Sequence, residues 1–116
     1  MNDELRFQCG EILKHYGEER QQEKAIEEMA ELIAAIKHED RSNYVEELAD
    51  VQVMIEQLFQ ALSFKEQQQF IVTIHNKIDR QIGRIHKERA DEMVGGQNDD
   101  SENTGKSLCN LWKHNS

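Results

Sequence analysis

The chain has 116 residues, enough for one domain with a modest core, and carries a formal net charge of -9 with no proline and two cysteines. That charge gives no electrostatic footprint for a nucleic-acid polymer or an anionic membrane surface. The missing proline argues against a turn-rich β fold, and the distant Cys9 and Cys109 form no zinc spacing and suit a reducing compartment.

The opening "MNDELRFQCGEIL" has neither a basic n-region nor an apolar h-region and is read as no signal peptide. No run approaches membrane-spanning length, so the expected location is cytoplasmic. Leu5, Cys9, Ile12, Leu13 and Tyr16 follow helical spacing and predict a first helix from Asn2 or Asp3 to Tyr16, stopped by Gly17. A second helix is predicted from Glu18 to about Lys37, with Ile26, Met29, Ala30, Ile33 and Ile36 as its core face. "HEDRSN" is the connector, and Asn43 is expected to cap a third helix in a box with Glu46. That helix runs to about Leu62, with Tyr44, Leu48, Val51, Ile55, Leu58 and Leu62 as its core stripe.

"SFKE" opens the fourth helix, with Ser63 as cap and Glu66 closing the box. Ile71, Ile74, Ile78, Ile82 and Ile85 then form a narrow seam suited to packing on another helix, including one from a second subunit. Residues 1–94 are expected to make an all-α domain. Residues 95–116 read as a glycine-rich polar linker followed by the short apolar tail "LCNLW".

Two helices carry acids beside their apolar faces. Positions three and four apart share a helix face, so Glu28 and Glu31 lie together beside Leu32 and Ala35, and Glu47 and Asp50 lie over or beside Val51 and Met54. A buried ionised carboxylate is penalised by several kcal/mol unless it is protonated, paired or metal-bound. Oxygen ligands in such a cluster suit Mg²⁺ or Mn²⁺ rather than Zn²⁺. The alternative is that these acids pair with Lys and Arg along solvated helix edges.

The segments "EEMAEL", Glu27 to Leu32, and "EELADV", Glu46 to Val51, resemble the paired motifs of the MazG-like all-α nucleoside triphosphate pyrophosphohydrolases. In that family ExxE is followed, after a gap, by ExxD. Glu28 and Glu31 match the first half, and Glu47 and Asp50 match the second. The resemblance covers roughly residues 17–84 as helix order and implies a four-helix bundle-like core assembled across a homo-oligomer interface. It implies Mg²⁺-dependent hydrolysis of a nucleoside triphosphate to the monophosphate and pyrophosphate, with Mn²⁺ as a substitute. The four acids would be metal ligands, and Glu31, towards the rim, the candidate base on the attacking water.

Lys77, Arg80 and Arg84 share one side of the fourth helix, distinct from the isoleucine seam. They read as phosphate-gripping cations, the alternative being a solvated basic edge. Gln21 and Lys24 precede the first motif, where similar proteins form the nucleotide pocket. The competing readings are a catalytically idle Mg²⁺- or nucleotide-binding member and a helical protein-interaction module.

Overall fold

The computed structural model describes residues 1–95, which form four helices and no strand among them: α1 Asp3–Tyr16, α2 Glu18–His38, α3 Arg41–Gln60 and α4 Phe64–Gly95. The expected linker and tail beyond Gly95 lie outside these residues, as do Cys109 and Trp112.

Local chemistry sets each boundary. The Asn2 side chain accepts from the Leu5 N–H at 2.8 Å and caps α1. Gly17 separates α1 from α2 at φ 90°, a conformation that side chains with a Cβ rarely adopt. Its N–H bonds the Leu13 carbonyl at 2.8 Å and closes α1. Between α2 and α3 the chain turns through Glu39 in the left-handed region, at φ 55°.

Asp40, not Asn43, then caps α3: its carboxylate accepts from the Asn43 N–H at 3.2 Å. The left-handed Glu39 turns the chain early enough for Arg41 and Ser42 to be helical already, so Asn43 sits inside the first turn. At α4 the expected box forms reciprocally. Glu66 Oε1 accepts from the Ser63 N–H at 2.9 Å, and Ser63 Oγ accepts from the Glu66 N–H at 3.2 Å. These bonds hold the Glu66 carboxyl below the usual carboxylate range.

The chain divides after Gln67 into two compact units, the first being Met1–Gln67 and the second containing the rest of α4. Within the first unit α2 and α3 form an antiparallel hairpin. Gln21 of α2 bonds Gln57 of α3, while Glu28 of α2 meets Asp50 of α3, so the pairings step in opposite directions along the two helices. Helix α1 is tied to the C-terminal half of α3 by an Arg6–Glu56 ion pair of 3.3 Å and by Gln60 Nε2 donating to the Arg6 carbonyl at 2.8 Å. Gly10 lets this contact close, since a Cβ there would fall 2.7 Å from Gln60 Oε1.

The buried face of α2 differs from the expected one. Gln21, Ala25, Glu28 and Ala35 are buried, whereas Ile26, Ile33 and Ile36 are 70%, 56% and 54% exposed. Small residues on the Glu28 side let α3 approach closely, and the branched side chains are left on the adjoining face. On α3, Val51, Met54 and Gln57 are buried, while Leu48 and Ile55 of the expected core stripe are exposed. The hairpin therefore packs through the same face that carries the acids.

Candidate active site

Glu28 reaches the site from the buried face of α2, and Glu47 and Asp50 reach it from consecutive turns of α3. One carboxylate oxygen from each lies within 4.8 Å of the others. Glu28 is buried, Glu47 half-buried and Asp50 exposed, so the cluster runs from the helix contact outward to solvent. Glu31 is exposed and stands against Glu47. Burial, then a hydrogen bond with Glu31 and the negative charges of Glu31, Asp50 and Glu28, push the Glu47 carboxyl above the usual range.

Two oxygens here, Glu28 Oε2 and Glu47 Oε2, are buried without a hydrogen-bond partner. Buried polar atoms are usually satisfied, so each carries a desolvation penalty that a ligand could remove. The donor set consists wholly of carboxylate oxygens, the chemistry of a hard divalent cation. Lys24 pairs with one member of this set. Its Nζ lies 3.1 Å from Glu28 Oε1 and 3.6 Å from Glu27 Oε1, and these contacts raise the ammonium pKa, the Glu28 hydrogen bond most of all.

An open cavity of about 600 Å³ adjoins the cluster, with Glu28 and Asp50 in its wall. It follows the α2–α3 hairpin past Lys24 and Met54 to Gln21 and Gln57. Ile12 and Tyr16 of α1 also line it, and the Arg20 guanidinium sits over the Tyr16 ring at 5.1 Å.

Among the sequence-predicted residues, the fold brings Glu28, Glu47 and Asp50 into one cluster, sets Glu31 against Glu47, and lines the adjoining cavity with Gln21 and Lys24. Lys77, Arg80 and Arg84 lie on α4 beyond Gln67, in the second unit, with Lys77 and Arg80 exposed and Arg84 half-buried. Sequence reasoning missed Gln57. The signal available was its position seven residues after Asp50, on the same face of α3. It also missed Tyr16 as a wall of the cavity and treated it only as a core residue.

The helical hairpin thus gathers carboxylates of its ExxE and ExxD segments beside an open cavity. Residues 17–92 match the MazG nucleotide pyrophosphohydrolase domain, and the chain belongs to that family. The family activity is cleavage of a phosphoric anhydride in a nucleotide. Helix α1 precedes the matched region, so Ile12 and Tyr16 are contributed from outside it. No curated protein and no solved structure matched the chain significantly. No helix among the described residues is long and apolar enough to cross a membrane.

Proposed function

We propose that this protein hydrolyses ribo- or deoxyribonucleoside triphosphates to the monophosphate and pyrophosphate in a Mg²⁺-dependent reaction, with Mn²⁺ able to substitute. The observation that carries this reading is the three-carboxylate cluster beside the cavity, with two buried oxygens lacking any partner. Glu28, Glu31, Glu47 and Asp50 would hold the metal. Bound divalent cations supply charge neutralisation for the triphosphate and Lewis acidity towards its oxygens.

The residues of the chain then have distinct tasks. Glu31, exposed at the rim, accepts the proton of the attacking water. The water oxygen bonds to the α-phosphorus, the bond from that phosphorus to the bridging oxygen breaks, and pyrophosphate leaves with the bridging oxygen. Glu47, held by the hairpin and charged only against its neighbours' repulsion, is a ligand whose ionisation a cation favours. Lys24, paired with Glu28 in the cavity wall, would serve as a cation for a phosphate oxygen of the substrate. Lys77, Arg80 and Arg84 are assigned to phosphate binding by the order of the family helices, acting for the same chain or for a neighbouring copy in a homo-oligomer.

The biological role that follows is removal of unwanted or excess nucleotides in the cytoplasm. Pyrophosphate release from a panel of triphosphates, with Mg²⁺ and with EDTA, tests the reading. Release with Mg²⁺ and none with EDTA supports it, and equal release in both contradicts it.

A further inference from the structure

Resting on the pyrophosphohydrolase reading, we propose that Gln57 is a positioning residue: its buried hydrogen bond with Gln21 fixes the register of the α2–α3 hairpin and so holds Glu28 against Glu47 and Asp50 for a divalent cation.

Gln57 is 1% exposed and Gln21 5%, so the amide pair lies inside the helix contact. Gln57 Nε2 donates to the Val53 carbonyl at 3.4 Å and lies 3.8 Å from Met54 Sδ. Neither of those atoms can donate, so the amide presents Oε1 across the hairpin, where it accepts from Gln21 Nε2 at 2.8 Å. A buried carboxamide that loses its partner is penalised, and the bond therefore favours one alignment of α2 on α3.

That alignment matters at the acids. Gln21 precedes Glu28 by seven residues and Gln57 follows Asp50 by seven, two turns on each helix, or roughly 10 Å. The amide pair and the carboxylate cluster are two layers of one hairpin at matching spacing, and what fixes one fixes the other. Between them lie the buried Ala25 and Met54. Alanine offers little shape to key on and methionine adapts to irregular gaps, so this apolar layer tolerates a slip. A slip of one turn moves a helix by about 5.4 Å. The three carboxylates gather within 4.8 Å, so such a slip would undo the cluster.

The cluster also works against itself. Its carboxylates repel one another before a cation arrives, and that repulsion pushes α2 and α3 apart at this layer. A directional bond two turns away opposes the separation without occupying the site. Register control is the best attested use of buried polar pairs, which otherwise tend to cost stability.

The test is Mn²⁺ titration calorimetry without nucleotide, well below the melting temperature, on the wild type, Gln21→Leu/Gln57→Leu and Gln57→Met. Omitting the nucleotide excludes any part that Gln21 has in substrate binding. Replacing both partners by apolar groups of similar shape is nearly neutral for folding, so melts of the double variant in EDTA should stay close to wild type. Its Mn²⁺ dissociation constant should rise by roughly ten- to a hundredfold, the loss that follows removal of groups orienting metal ligands. Gln57→Met leaves Gln21 without its acceptor, and its folded state should show the same loss. A merely structural pair would lower the melting temperature and leave the affinity of the folded protein unchanged. Unchanged affinity in either folded variant would therefore overturn the proposal and leave the hydrolase reading intact. Failure of both variants to fold would show that the pair holds the fold rather than the site, and would overturn it equally. A wild type that binds no Mn²⁺ would overturn the metal-centre reading and this proposal with it.

Discussion

Lys24 and Glu28, one turn apart on α2, form an ion pair of 3.1 Å, and Glu28 is also the most buried member of the carboxylate cluster. If the cluster holds a metal as proposed, the same carboxylate would face two cations in turn, the lysine in the metal-free protein and the divalent ion in the loaded one. Lys24→Met removes the competitor. Mn²⁺ titration calorimetry should show tighter binding to the variant, by a modest factor because the lysine is half exposed and screened. The triphosphate KM should rise, since the ammonium also serves the substrate. Weaker Mn²⁺ binding in Lys24→Met would contradict this double role.

Glu47→Gln separates function from stability. Loss of a charged ligand should lower kcat/KM by roughly a hundredfold or more. The metal-free fold should move the other way. A carboxyl whose folded pKa is raised contributes stability below the ordinary carboxylate range and loses it as pH rises through the raised value, so at neutral pH ionised Glu47 opposes folding. Thermal melts in EDTA should therefore show Glu47→Gln at least as stable as wild type at pH 7. The advantage should shrink as the pH falls through the carboxylate range. A variant clearly less stable than wild type at pH 7 in EDTA would mean that Glu47 is held by a favourable pairing instead.

The four helices were legible in the sequence because their signals are local. Ser63 and Glu66 box the start of α4 as their spacing indicates, and Gly17 breaks the chain where it stands. The cap of α3 was not settled locally, since Asp40 and Asn43 are both good capping residues and the left-handed Glu39 decides between them. The acidic cluster was legible from two spacings. The inner face of α2 was not, because hydrophobicity favoured Ile26, Ile33 and Ile36, while close approach favoured Ala25 and Ala35. Gln57 carries no hydrophobic or charge signal, and only the hairpin register shows that it meets Gln21.

The exposed isoleucines lead to a prediction about assembly. Ile26, Ile33 and Ile36 on α2 and Ile71, Ile74, Ile78 and Ile82 on α4 present apolar stripes to solvent, which a folded chain rarely leaves uncovered. Light scattering should give a multiple of the chain mass. Ile33→Asp and Ile78→Asp each place a charge where burial would cost several kcal/mol, and either should weaken the assembly. Glu28, Glu47 and Asp50 come from one chain, so a monomeric Ile33→Asp protein should still bind Mn²⁺. A wild type that is monomeric at all concentrations would remove the interface.

Divalent cations should stabilise the fold by binding only its native cluster. Mg²⁺ should raise the melting temperature of the wild type, and the gain should vanish in Glu28→Gln/Asp50→Asn. An equal gain in the double variant would assign it to general screening of a chain with net charge -9.

The most direct measurement is phosphorus NMR of a single triphosphate incubated with the wild-type protein and Mg²⁺. Attack at the α-phosphorus predicts nucleoside monophosphate and pyrophosphate as the primary products in equal amounts, with neither formed by Glu28→Gln/Asp50→Asn. Nucleoside diphosphate with orthophosphate, or unchanged turnover by the double variant, would contradict the assignment of this cluster as the centre of a nucleotide pyrophosphohydrolase.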